Sequence, residues 1–202
     1  MVIQIPAKEE FLRGCAEYER REGRDSMYKV ATFLVKCFWG KPEDMADALG
    51  VLLLTWNQAL YRYDPPDFDE LSKCIADNMN KINHFRQREI TTFSASDETS
   101  TQELFERFLD ALKTEKSGRK SPVAVAKALH LLAPAFFPLW DKKIAKAYGC
   151  DYSKEPAQKY VIFCTIIREI ANGVKGYVGD SPKTLVKLID EYNYSKYTKK
   201  WI

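Results

Sequence analysis

The chain has 202 residues, 46% of them hydrophobic and 29% charged, with a formal net charge of +3. That is enough to bury a real core in one domain, or in two closely packed lobes with a cleft between them, and the composition is that of a globular rather than a disordered chain. The longest uninterrupted apolar run is about half of the roughly 20 residues that a membrane span needs. Met1–Pro6 is short and mixed rather than a charged-then-apolar leader, so the expected location is intracellular, in the cytoplasm and off the membrane. The five cysteines, Cys15, Cys37, Cys74, Cys150 and Cys164, are scattered and form no Cys-x-x-Cys pair. This argues for reduced thiols and against a four-cysteine metal centre. With only His84 and His130 as imidazoles, no metal and no cofactor is expected. Charge is unevenly spread. Residues 1–100 carry 13 Lys+Arg against 17 Asp+Glu, and residues 101–202 carry 18 against 11. A basic second half suits a polyanionic partner.

Helical punctuation dominates the chain, and strand signals are scarce. Pro6 opens a first helix, with Phe11, Leu12, Cys15 and Tyr18 at helical spacing and Gly23 at its end. Asp25-Ser26 caps a second, whose Val30, Phe33, Leu34, Cys37 and Phe38 form the expected apolar side, stopped by Gly40. Pro42 stands at a first-turn position with Glu43 and Asp44 after it, and this third helix is expected to run to Tyr61 or Arg62. Its apolar middle, Ala48–Trp56, marks it as the central core helix. Asn57, Gln58 and Tyr61 then end the rod in hydrogen-bonding groups, which either line a cleft or bridge neighbouring backbone.

Asp64-Pro65-Pro66-Asp67 is a firm break. A fourth helix follows from Asp67 with Leu71, Ile75, Ile82 and Phe85 inward. Glu89–Ser100 then reads as a polar connection, and a fifth helix spans Ser100 to Lys113. Ser121-Pro122 starts a sixth, carrying Val125, Leu129 and Leu132 inward with Lys127 and His130 on another face. Asp141 caps a seventh that closes at Gly149. Ser153 begins an eighth, Ser181-Pro182 a ninth, and the basic, aromatic tail Lys196–Ile202 is expected to fray. The reading is all-α, about nine helices in a single compact domain.

From Gly118-Arg119-Lys120-Ser121 through Trp140-Asp141-Lys142-Lys143-Ile144, the chain resembles the core of the helix-hairpin-helix DNA glycosylase superfamily (HhH-GPD). In that superfamily a glycine-containing turn leads into an apolar helix, and a proline-containing stretch then delivers an aspartate at the start of the next helix. Leu52–Asn57 and Phe85-Arg86-Gln87-Arg88 resemble further segments in order and length. Thr114–Ser121 (TEKSGRKS) stands where the superfamily carries a Leu-Pro-Gly-x-Gly turn. Leu129-His130 with Pro134, Phe137-Pro138 and Trp140-Asp141 is similar to a distant branch, for which the resemblance implies a fold more than an activity.

The resemblance implies hydrolysis of an N-glycosidic bond of a damaged or modified base in double-stranded DNA. Asp141 would be its catalytic carboxylate, and Lys120 stands near the position of the lysine in bifunctional members. Cleaving base from sugar builds positive charge on the sugar, which a carboxylate at a helix N-terminus can stabilise. A flipped base needs aromatic walls; Trp56, Tyr61, Tyr63 and Trp140 are available, with Asn57 beside them. Arg119, Lys120 and Ser121 precede a helix N-terminus and suit a backbone phosphate, and Lys142 and Lys143 offer a second basic patch. The alternative is a non-catalytic helical module that binds nucleic acid or protein through the basic half, with Asp141 only a helix cap.

Overall fold

A computed structural model describes residues 3–23 and 25–202; Met1 and Val2, the start of the Met1–Pro6 stretch, lie outside the described residues. Among the described residues the fold is all-helical, with ten α-helices: α1 (Lys8–Arg21), α2 (Asp25–Cys37), α3 (Pro42–Trp56), α4 (Gln58–Tyr61), α5 (Phe68–Arg86), α6 (Ala95–Ala111), α7 (Pro122–Leu132), α8 (Lys142–Ala147), α9 (Pro156–Val174) and α10 (Leu185–Asn193). A single-turn 3₁₀ segment covers Ile90–Thr92 and a π-helical turn covers Tyr194–Thr198. Among the described residues, no helix is long and apolar enough to cross a membrane.

Local chemistry sets most boundaries. Asp67 accepts hydrogen bonds from the amides of Asp69 and Glu70 at the start of α5, and Ser121 accepts one from Ala124 at the start of α7, satisfying amides that a helix cannot pair internally. α3 packs against α2, α5 and α7, while α1 lies on α10 and α6 on α9. Eight of the eleven residues of α7 are buried. Leu54 on α3 is 39% exposed, so α3 is less enclosed than α7 and than α10, where eight of the nine residues are buried. On α1, a Cβ at Gly14 would stand 2.8 Å from the Tyr192 side chain, so glycine is what lets α10 approach this closely.

Five expectations are corrected. The third helix stops at Trp56: Asn57 leaves helical geometry, and Lys127 Nζ binds both its Oδ1 at 2.5 Å and the Trp56 carbonyl at 3.2 Å. On α2 the buried residues are Ala31 and Val35, and Leu34, with Phe38 just past the helix end, packs partly against the core as expected, while Val30 and Phe33 are 44% and 64% exposed; the centre of the inward stripe is one residue out of step with the expected one. Glu89–Ser100 is largely structured. Ser94 and Asp97 form a reciprocal cap that starts α6 at Ala95, and Arg88 clamps Asp97 with two hydrogen bonds of 2.5 and 2.9 Å. α10 begins at Leu185, capped by Thr184 rather than Ser181, because the Thr184 hydroxyl is also anchored on the Pro134 carbonyl at 2.9 Å. The tail does not fray: Lys196 Nζ donates to Glu10 at 2.7 Å, the Thr198 hydroxyl donates to Asp141, and the Trp201 amide donates to the Ser195 carbonyl at 2.8 Å.

Candidate functional site

The segment that delivers Asp141 is held by three buried side chains from different parts of the chain. His130 binds the Phe137 carbonyl through Nδ1 at 2.8 Å, the Tyr160 hydroxyl donates to the Pro138 carbonyl at 2.7 Å, and Trp140 Nε1 donates to the Pro122 carbonyl at 3.1 Å. A carbonyl only accepts, so His130 carries its proton on Nδ1, and Nε2 accepts from the Tyr28 hydroxyl at 2.8 Å. Full burial holds the His130 pKa down at about 4, so the ring is neutral. The Trp140 indole packs among Phe105, Tyr152, Tyr160 and Phe163. The backbone entering α8 therefore has little freedom.

Asp141 caps α8. Its Oδ1 accepts from the amides of Lys143 at 2.7 Å and Ile144 at 2.8 Å, and its Oδ2 accepts from the Thr198 hydroxyl. The same carboxylate lines a cleft of about 280 Å³, just below the usual range for ligand sites, roughly 300–1,000 Å³. Tyr18, Trp56, Trp140 and Tyr194 give it aromatic walls, and Val123, Leu139 and Ile144 add apolar surface. Its polar groups are Glu22, Lys127, Asp141, Asp190 and Thr198. Tyr28 stacks behind Trp56 at 6.2 Å between ring centroids and contacts the His130 ring at 5.5 Å, which backs that wall.

Behind the cleft lies a buried charge cluster. Lys187 Nζ stands 3.2 Å from Asp25, 3.3 Å from Glu191 and 3.7 Å from Asp190. None of these contacts has good hydrogen-bond geometry; charge and the faces of Tyr18 and Tyr28, 4.1 and 4.8 Å from the ammonium, hold it. Lys183 reaches Glu191 at 3.0 Å. Burial pushes the Asp190 carboxyl up to about 7 against the pull of Lys187.

Of the residues singled out in the sequence, the fold brings Trp56, Trp140 and Asp141 to one cleft. Asn57 stands at its edge, tied to the cleft residue Lys127. Tyr61 is not a wall: it is buried, and its hydroxyl donates to the Leu112 carbonyl at 2.7 Å. Lys120 is not among the lining residues; its ammonium pairs with Asp110. Arg119 lies on Ser117 and the Leu60 carbonyl, and Ser121 is the α7 cap. Asp64 holds the TEKSGRKS turn by accepting from the amides of Lys116 and Ser117, at 2.8 and 3.0 Å, and from the Ser117 hydroxyl at 2.6 Å. These hydrogen bonds lower the Asp64 pKa to about 2.

Lys142 and Lys143 are exposed on α8, and Lys143 Nζ donates to the Thr198 carbonyl at 2.9 Å, beside the cleft. Lys199 lies over the Tyr194 and Trp201 rings at 5.6 and 5.9 Å, and Arg21 over Trp201 at 5.6 Å. A basic, aromatic rim therefore borders the cleft. Sequence reasoning missed Tyr18, Asp190, Tyr194 and Thr198. One signal was present: Lys187, Asp190 and Glu191 fall at i, i+3 and i+4 and so share a helix face. Among the described residues, no group of three His, Cys, Asp or Glu side chains could hold a metal ion.

No family model matches the chain, and neither a curated protein nor a solved structure matches it.

Proposed function

We propose that this protein releases a base from nucleic acid by hydrolysing its N-glycosidic bond, as the resemblance to helix-hairpin-helix glycosylases implies, with double-stranded DNA as substrate. One observation carries the reading: Asp141 sits at a helix start and opens into an aromatic-walled cleft with a basic rim. A base turned out of the stack would lie between Trp56 and Trp140, with its sugar toward Asp141, where the carboxylate stabilises the cationic sugar. Lys143 and Lys199 would meet the flanking phosphates. Lys120 is left without a chemical role in this reading, because attack on the sugar carbon needs an amine inside the cleft.

The test is single-turnover base release from a panel of lesion duplexes, with Asp141→Asn as control. Release by the native protein that the variant lacks, at similar DNA affinity, supports the proposal; equal release by both ends it. A second reading rests on the occupied state of Asp141, whose two oxygens already accept three hydrogen bonds. In that reading the protein is a non-catalytic helical module that binds nucleic acid through the Lys143–Lys199 rim. Binding to every duplex without release from any would favour it.

A further inference from the structure

We propose that Asp190 is a second catalytic carboxyl group of this cleft, the general acid that protonates the departing base while Asp141 faces the sugar. The inference rests on the base-release reading of the cleft. It places two acidic groups with different duties in one small cavity, a division set by their surroundings.

The geometry separates the two. Asp141 stands at a helix N-terminus and meets three hydrogen-bond donors, the setting of an electrostatic stabiliser. Asp190 lies on α10, is 7% exposed, and lines the cleft. Its described surroundings come from five directions: Lys187 and Glu191 on its own helix, Lys183 just before it, Asp25 on α2, Tyr18 with Glu22 from the α1 end, and Lys127 and Asp141 across the cleft.

The weakest ion pair assigns the proton. Among the described residues, Asp25 is paired with Lys187 at 3.2 Å and Lys29 at 3.5 Å, and Glu191 with Lys183 at 3.0 Å and Lys187 at 3.3 Å. In a low-dielectric interior the carboxylate that is least well compensated takes up a proton most readily. Asp190 has the longest contact, 3.7 Å to Lys187, and so gives up least by becoming neutral. Burial likewise raises its pKa to about 7, near the operating range of an efficient general acid.

The step balances as follows. The Asp190 carboxyl gives its proton to a ring nitrogen or carbonyl oxygen of the base. The C1′–N bond breaks with its electron pair staying on the base, and the sugar cation forms beside Asp141. Water then bonds to C1′ through oxygen, and its surplus proton passes to the Asp190 carboxylate, which restores the acid. One water is consumed, and one free base and one sugar hemiacetal are formed.

The test measures single-turnover release against pH, on uracil, hypoxanthine, 8-oxoguanine and 3-methyladenine duplexes, for the native protein and for Asp190→Asn and Asp141→Asn. Where uracil is released, a 5-fluorouracil duplex is added as a substrate with a better leaving group. The native rate is expected to fall as pH rises through about 7. Asp190→Asn should lose about 100-fold or more, flatten that profile, keep its DNA affinity, and recover partly on 5-fluorouracil. Carboxyl NMR of the native protein provides a readout that needs no variant: Asp190 titrating below pH 5 overturns the assignment. So does Asp190→Asn with the native rate and profile. If Asp141→Asn is inactive while Asp190→Asn is unimpaired, the Asp190 role alone fails. If no duplex releases a base with the native protein, both the cleft reading and the Asp190 role fail.

Discussion

The Thr198 hydroxyl donates to Asp141 Oδ2, which ties the start of α8 to the last turn of the chain. Thr198 belongs to a π-helical turn, and Tyr194, four residues earlier, also lines the cleft. The carboxylate thus has one oxygen committed to its own helix and the other to a segment 57 residues away in sequence. Replacing Thr198 with valine keeps the shape and removes the donor. The expected result is a stability loss of about 1 kcal/mol, the ordinary net value of such a bond, read from urea unfolding. An unchanged midpoint would show that the hydrogen bond contributes nothing.

Substitutions at Asp141 separate its structural duty from any chemical one. Asparagine can still accept from the Lys143 and Ile144 amides, whereas alanine cannot. Asp141→Ala is expected to cost about 1 kcal/mol through removal of the helix cap and Asp141→Asn much less, while both abolish base release. Equal stability losses for the two variants would show that the cap is not what Asp141 contributes to the fold.

His130 and Asp190 should impose opposite pH dependences on stability. Burial holds His130 at about 4 against an ordinary 6.5, so between these values the unfolded chain binds a proton that the folded one does not. Its contribution is lost as pH falls through that window. Asp190 is raised to about 7 from 3.8, so the folded chain keeps a proton the unfolded one has shed. That contribution is present at low pH and lost as pH climbs from about 4 to 7. In the native protein the two slopes largely cancel, each being at most about 1.4 kcal/mol per pH unit. Asp190→Asn should therefore gain stability between pH 4.5 and 6.5, and His130→Gln should lose it. Urea midpoints across pH 4.5–7.5 decide; parallel profiles for the two variants would refute the assignment.

The basic rim and the TEKSGRKS turn can be told apart by salt. Removing one cation that pairs with a DNA phosphate lowers the slope of log K against log salt by about one unit. Lys143→Ala with Lys199→Ala should lower the slope of DNA binding by about two. Arg119→Ala with Lys120→Ala should change it little, because Asp64 ties that turn away from the cleft. The opposite result would move the interface to the turn.

The all-helical fold was legible because its signals are local. Pro42, Asp67, Ser121-Pro122 and Asp141 mark helix starts through the geometry of a single turn, and each stands at a start in the structure. Errors arose where a distant residue intervenes. Lys127 reaches across 70 residues to end α3 at Trp56, and the Pro134 carbonyl selects Thr184 over Ser181. The α2 stripe failed in part, because Val30 and Phe33 are apolar enough to face a core yet remain exposed.

The cleft was half legible. Trp56, Trp140 and Asp141 stood out by type and position, and the fold brings them together. Lys120 and Tyr61 had the right chemistry and lie elsewhere, in an ion pair and in the core. Asp190 was missed, although its spacing puts it on one helix face with Lys187 and Glu191. Helix caps and breaks are settled within a turn of backbone, and the sequence by itself determined those. Whether a charged side chain faces water or a neighbouring helix depends on which elements pack over it, so the burial of His130, Lys187 and Asp190 was decided only by the tertiary structure.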